Sequence, residues 1–255
     1  MLVTRVGYTR ALSLHLLMEA KLSEFVERLK DAARENLQAV VLYGSAVTGE
    51  FQSKYSDVNI LCLLDRADST ELDKLHEAVE WWVKEGHSPP LVWTFAEIGR
   101  SADVFAIELL DMKLRHRMLF GRDFLDHLDL PLDHHRLLVK HELNVSRQRL
   151  RQSILSQPAK RKSRLDIMLD SVSSFCALFR HALPAIGQPM PSTQRDAVDA
   201  VAALTGADPS AFHAALDIRE GKQKEGDIDA EVALHNYLIL VDVFSSEFDR
   251  RLAGR

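Results

Sequence analysis

The segment VLYGSAVTGEFQSKYSDVNIL, residues 41–61, carries the clearest structural pattern in the chain. Its beginning continues an apolar run from Ala39 to Tyr43 that stops at Gly44, which is typical of a buried strand ended by a turn. Its end opens a second apolar run, from Val58 to Leu64. The segment therefore predicts two buried strands, with a glycine turn at the end of the first.

Polar residues border these two strands where the connection joins them. Because side chains alternate along a strand, Asp57 and Asn59 are expected on the same face. Their oxygen atoms can hold a hard cation against a phosphate chain. Gly44 leaves the backbone bare for phosphate oxygens, and Ser45 adds a hydroxyl beside it. The segment therefore predicts a phosphate and cation site.

This pattern resembles the nucleotidyltransferase superfamily, which includes DNA polymerase β, kanamycin nucleotidyltransferase and the streptomycin/spectinomycin adenylyltransferases. The Leu-Tyr-Gly-Ser-Ala sequence, with Ser-Asp after it, is most similar to aminoglycoside adenylyltransferases. The resemblance implies a nucleoside triphosphate, most simply ATP, that brings magnesium with it. Gly44, Ser45 and Ser56 would bind the nucleotide. Asp57 and Asn59 would be the catalytic and metal-binding residues, with Asp57 the principal ligand.

The chain lacks two of the carboxylates that the family carries at its metal site. Family members carry a second Asp where this chain has Asn59, and a third acid on a later strand. The corresponding strand, Leu91 to Phe95, has none, and Glu97 follows its end. Losing one carboxylate costs on the order of several kcal/mol of metal affinity. We therefore favour a nucleotide-binding pseudoenzyme with weak or lost catalysis, and keep as an alternative an active adenylyltransferase acting on a hydroxyl of a small molecule or protein.

Other residues in and after the third strand each have two interpretations. Asp103, Glu108 and Asp111 are alternative acids, although a solvated face of a helix over residues 102–114 explains them more simply. Trp93 either packs in the core or stacks on a base.

The order of predicted elements indicates an α+β fold in two domains. Up to residue 130, helix and strand signals alternate, and beyond it the strand signals cease. Three long helical seams and two short helices, near 194–204 and 210–219, predict a bundle. The sequence therefore predicts a nucleotidyltransferase-type domain with a mixed sheet over residues 1–132 and an all-helical bundle over residues 133–255.

The second half offers two further candidate features. Its first helical connection is rich in cations, and the resemblance implies that one of them, Arg147, reaches the triphosphate. Arg136 and His141 have the spacing of HEPN ribonucleases, so a helical RNA-acting or toxin–antitoxin-type module stays a further alternative. The cationic residues are Arg147, Arg149, Arg151, Lys160, Arg161, Lys162 and Arg164.

Composition limits the classes of partner that we expect for this chain. The net charge of −5 argues against a general nucleic-acid binder, and 46% hydrophobic residues are typical of a globular protein. Cys62 and Cys176 are expected as reduced, buried thiols. Neither a signal peptide nor a membrane span is recognised, so we expect a cytoplasmic protein without a membrane partner. The acceptor, and whether the chain forms a homodimer, stay open.

Overall fold

The computed structural model describes residues 3–48, 58–130 and 134–253, with side chains except those of residues 3–15, Ser45 and Thr48. The chain divides into two compact units, Met1–Leu130 and Pro131–Arg255. The assignment of domains with a boundary at residue 132 stays a prediction.

The described part of the first unit contains a four-stranded mixed sheet with the order β3-β2-β1-β4. Strand β1 pairs antiparallel with both β2 and β4, whereas β2 and β3 run parallel. The predicted mixed sheet is confirmed. The strands are β1 (Leu37–Tyr43), β2 (Asn59–Leu64), β3 (Leu91–Thr94) and β4 (His116–Gly121).

Helices cover both faces of this sheet. On one face, α1 and α3 bury residues such as Phe25 and Trp82 against Val40 and Ile60 of the central strands. On the other, called the α5 face below, α4 and α5 pack on residues that include Val41. Both central strands are thus buried on two sides, which explains their continuous apolar runs. The helices are α1 (Val3–Ala33), α2 (Ser45–Thr48), α3 (Ser69–Lys84), α4 (Phe95–Ser101) and α5 (Ala106–Leu114).

One predicted boundary, after β3, is wrong. The apolar pattern predicts a strand that includes Phe95 and a single helix over residues 102–114. Instead Thr94 caps α4: its hydroxyl accepts the N–H of Glu97, and the Glu97 carboxylate accepts the N–H of Thr94. This capping box satisfies backbone donors at the helix start, so α4 begins at Phe95.

At the end of β4, Gly121 approaches the backbone of β1 closely. It has φ +83°, and a Cβ there would overlap the carbonyl oxygen of Gln38 and lie 2.9 Å from Cα of Ala39. Glycine is the residue that fits this approach without displacing the strand.

The described part of the second unit is helical, as predicted. The apolar seams of α7 and α10 are buried, and Phe212 stacks on Tyr237 with the ring centroids 4.0 Å apart. Among the described helices, none has the length and apolarity that crossing a bilayer requires. The helices of this unit are α6 (His135–Ser156), α7 (Arg161–Ala185), α8 (Gln194–Thr205), α9 (Ser210–Arg219) and α10 (Ala230–Ala253).

Both cysteines are buried thiols, as predicted. Cys62 lies within β2 and Cys176 within α7. Burial raises the pKa of the Cys62 thiol to about 12, so this group stays protonated and unreactive at neutral pH.

Candidate functional site

The candidate site is built around Gly44, the turn after β1. Gly44 has φ +79°, a conformation that favours glycine. A Cβ at this position would meet Nδ2 of Asn59 at 3.1 Å. The side chain of Asn59 therefore lies beside the bare backbone of the turn.

Three residues form a row across the sheet at this end. Tyr43 of β1 lies opposite Asn59 of β2 and opposite His116 of β4. Residues directly opposite each other in an antiparallel pair share a face. Tyr43 packs against the core cluster of the α5 face, so the row belongs to that face. The site thus lies on the side of the sheet that α5 covers.

The third strand brings no acid to this face. Leu91 and Trp93 of β3 pack against the core of the α5 face, whereas Val92 packs on the opposite side. Glu97 lies beyond the strand, and its carboxylate is held by the Thr94 cap. Along β2 and β3 as the structure describes them, the polar side chain beside Gly44 is therefore the uncharged Asn59.

The structure describes the predicted site residues only in part. Asp57 and Ser56 lie outside the described residues, and the side chain of Ser45 is not described. Arg147 lies in α6 of the second unit, where its Nη2 donates to Asn144 Oδ1 at 2.8 Å. The assignment of these residues to a nucleotide and metal site stays a prediction, and for Arg147 it rests on the resemblance alone.

Comparison with known protein families identifies the first unit. Residues 22–115 match the family model of the nucleotidyltransferase domain, and the matched range lies entirely within this unit. The first unit contains a nucleotidyltransferase domain. The predicted order, with a nucleotidyltransferase domain followed by a helical region, is therefore confirmed.

A solved structure shares the fold of this chain. Spectinomycin adenyltransferase AAD(9) from Enterococcus faecialis, solved with ATP and spectinomycin, aligns with a TM-score of 0.53 and 13% identity over 87% of this chain and 98% of that one. A toxin–antitoxin structure with AMP-PNP aligns with a TM-score of 0.29 and 19% identity over 52% of this chain and 98% of that one. Among curated proteins, none matches the chain in sequence.

One acid of the nucleotidyltransferase domain affects the pKa of Tyr43, the β1 residue of this row. Burial, and secondly the charge of Glu108 on α5, raise the pKa of the Tyr43 phenol. Glu108 is exposed, and among the described residues its carboxylate has neither a hydrogen bond nor an ion pair. The solvated position expected for Glu108 is therefore correct, but the same carboxylate also lies within electrostatic range of the end of β1.

Trp93 does not fit the base-stacking role considered for it. It pairs with Leu63, four residues along β2 from Asn59, which places it about 13 Å from the row. Its ring packs against Phe105 with the centroids 5.1 Å apart. Trp93 therefore belongs to the packing at the other end of the sheet.

Sequence reasoning missed a cluster on β4 and the chain after it. Ligand atoms of His116, Asp123 and Asp126 all lie within 4.8 Å of one another, and His116 Nε2 lies 2.8 Å from Asp123 Oδ2. Partial burial acts to raise the pKa of Asp123, but hydrogen bonds from His116 and from the backbone N–H groups of Asp126 and Leu125 lower it overall. These hydrogen bonds account for the arrangement without a cation. The signal available in the sequence was the His-x6-Asp-x2-Asp spacing alone.

The cations of the second unit are largely engaged with neighbours. Arg151 pairs with Asp242 at 2.8 Å, and Arg164 pairs with Glu231 at 3.1 Å. Arg161 donates to backbone carbonyl oxygens that precede α10. Each of these side chains therefore has a partner within the second unit.

The HEPN-type pair lies on α6. Arg136 and His141 are both exposed, and His141 Nδ1 lies 3.0 Å from the carboxylate of its neighbour Glu142. Five residues turn a helix by about 140° beyond a full turn, so the two side chains leave from different faces. This angle follows from the spacing itself, so the RNA-acting alternative stays open.

Proposed function

We propose that the nucleotidyltransferase domain binds a nucleoside triphosphate, most simply ATP, together with magnesium, and that turnover is weak or lost. The observation that carries this proposal is the close approach of Asn59 to Gly44. Asn59 stands where the family has an acid, and Gly44 forms the turn that would receive the phosphates, so this contact brings the two parts of the site together.

The groups near the turn suit a magnesium ion carried by the nucleotide. A Cβ at Gly44 would lie 3.1 Å from Nδ2 of Asn59, so glycine keeps the backbone of the turn bare beside this amide, where phosphate oxygens could approach. Asp57 would supply a carboxylate, and Asn59 an amide oxygen that coordinates without charge. Ser45 and Ser56 would donate hydroxyl hydrogen bonds. When bound, magnesium would supply charge neutralisation at the triphosphate.

The same groups argue for weak chemistry. A carboxylate on β3 would orient or deprotonate an acceptor hydroxyl, but the α5 face of that strand carries Leu91 and Trp93. A second magnesium ion would have Asn59 in place of an acid. Because each lost charge near a dication costs on the order of several kcal/mol, we expect a single nucleotide-borne ion and little transfer.

The shared fold supports the nucleotide class. AAD(9) was solved with ATP and spectinomycin. We extend the nucleotide to this chain and leave the acceptor, a hydroxyl compound in the active alternative, unassigned.

Calorimetry of the full chain with ATP, in magnesium and in EDTA, tests the proposal. We expect magnesium-dependent binding that Asp57→Ala abolishes. Asp73→Ala, which removes an exposed acid on α3, is the matched control and should bind as the unmodified protein does. No binding under either condition would refute the proposed function.

A pyrophosphate assay separates the two forms of the proposal. With magnesium and labelled ATP, and with hydroxyl acceptors added in turn, we expect release no greater than in the absence of protein. Robust release that Asp57→Ala abolishes would instead establish the active adenylyltransferase.

A further inference from the structure

An exposed apolar stripe runs along helix α10 of the second unit. Val232, Ile239 and Val243 are 54%, 41% and 39% exposed, whereas Phe244 and Phe248 on the other side of the helix are buried. Steps of seven and four residues place the three exposed side chains on one face. Because apolar side chains gain free energy by leaving water, a stripe of this kind is typical of a surface that contacts another protein.

Polar residues on the same face continue the spacing of the stripe. Asn236 lies between the first two apolar residues, and Ser246 and Arg250 follow the last. Asn236 is partly exposed, and Ser246 and Arg250 are exposed. The steps along this face alternate between four and three residues, which is the spacing of a coiled-coil seam. The α10 seam, as it is called below, consists of Val232, Asn236, Ile239, Val243, Ser246 and Arg250.

Helix α6 widens the surface around the α10 seam. It runs antiparallel beside α10, where Lys140 pairs with Asp249 at 3.0 Å and Arg151 with Asp242 at 2.8 Å. Leu155, which is 86% exposed, follows Arg151 by one helical turn and lies on the same side of α6. Helices of these lengths span about 33 and about 36 Å, so two strips about 10 Å wide present roughly 700 Å². Each partner in a standard protein interface buries about 800 Å².

A second copy of the chain fits the seam when the two α10 helices run antiparallel. The two copies then read the seam in opposite directions about a two-fold axis, so its first position faces the last and its central positions face each other. Ile239 of one copy packs on Val243 of the other, and the Asn236 amide faces the Ser246 hydroxyl. Each contact occurs twice, so the face is complementary to itself.

Charge favours the antiparallel arrangement over a parallel one. Glu231 lies in the first turn of α10 and Arg250 in the last, and both are exposed. In antiparallel helices the stem of Arg250 covers Val232 of the other copy, and its guanidinium lies near Glu231. Parallel helices would instead bring Arg250 against Arg250. Asp242 of both copies lies near the two-fold axis, where the ion pair with Arg151 neutralises each carboxylate.

We propose that α10 is a dimerisation surface and that two copies of this chain pair through antiparallel α10 helices. The three apolar residues form the centre of the interface, and the pairs of Asn236 with Ser246 fix the register of the two helices. The proposal concerns the second unit and does not depend on the nucleotide site.

Sedimentation equilibrium of the full chain over a range of concentrations tests the proposal. We expect a monomer–dimer equilibrium with a dissociation constant in the micromolar range or below. Ile239→Glu should raise this constant by about a hundredfold or more, because it places an unpaired charge in the centre of the interface twice. Leu72→Glu is the matched control: Leu72, on α3 of the first unit, is 42% exposed, and its variant should dimerise as the unmodified protein does. Thermal denaturation checks that each variant is folded.

A mixture of two variants tests the antiparallel geometry directly. Ile239→Glu and Val243→Lys each place a charge against an apolar side chain in their own dimers, so each variant alone should be largely monomeric. In a mixed antiparallel dimer the new carboxylate faces the new ammonium, while the unchanged Val243 and Ile239 pack together. The mixture should therefore dimerise about tenfold or more tightly than either variant alone.

Four results would overturn the proposal. The first is a full chain that stays monomeric up to about 100 μM, since a standard interface would be occupied there. The second is a dimer that Ile239→Glu leaves unchanged, which would assign the contact to another surface. The third is an equal loss in Ile239→Glu and Leu72→Glu, which would show that the effect is not specific to α10. The fourth is a mixture that associates no better than its components, which would exclude the antiparallel pairing.

Discussion

Asn59→Asp restores the acid that the family carries and is the most informative single change in this domain. The substitution is nearly isosteric, so the close approach to Gly44 can be kept. A unit charge pair at 4 Å is worth about 4 kcal/mol at an effective dielectric near 20, and a dication about doubles this. Asn59 is partly exposed, so solvent screening removes most of that energy.

We expect a net gain of about 2 kcal/mol, or about thirtyfold tighter ATP binding in magnesium. Calorimetry in magnesium and in EDTA measures this gain, and the EDTA series should show weaker binding than the unmodified protein. Asn59→Ala provides the comparison with neither the amide nor the acid. Equal or weaker binding of Asn59→Asp in magnesium would refute the reasoning that Asn59 faces the ion.

Two further predictions concern stability. Gly121→Ala should lower the free energy of unfolding by about 2 kcal/mol or more, because the new Cβ would meet the Gln38 oxygen. Gly86→Ala, at φ +90° in open space, should lower it by about 1 kcal/mol. Equal losses for the two variants in urea denaturation would contradict this prediction. Burial, and secondly the charge of His181, lower the pKa of His135 to about 4, while the unfolded chain titrates near 6.5. The unfolded state therefore binds the extra proton first, and stability should fall by about 2 kcal/mol as the pH drops from about 6.5 to 4. His135→Leu should reduce this dependence in urea titrations at a series of pH values, and an unchanged slope in that variant would exclude His135 as a source.

Local sequence patterns predict much of the fold. The apolar run before Gly44 and the one that starts near Asn59 identify both central strands, because strands buried on two sides leave a continuous apolar signature. Helical seams identify the bundle for a similar reason, since one face of each helix is buried. The lack of an acid between Leu91 and Phe95 is also visible in the sequence alone.

Features that depend on pairing between distant segments could not be predicted. The β1–β4 register places His116 beside Tyr43, and Leu109 of α5 packs against the same face of the sheet. The break after β3, by contrast, has a local signal, because Thr94 and Glu97 have the spacing of a capping box, and the apolar run through Phe95 masked it. Long-range register and capping geometry decided each of these points.

A crystal structure of the full chain with magnesium and a non-hydrolysable ATP analogue would show whether the Gly44 turn receives the nucleotide. We expect density for the triphosphate against the backbone of Gly44, with a metal ion between the phosphates and the side chains of Asp57 and Asn59. Nucleotide density elsewhere on the protein, with the Gly44 turn clear of phosphate, would contradict the proposed site.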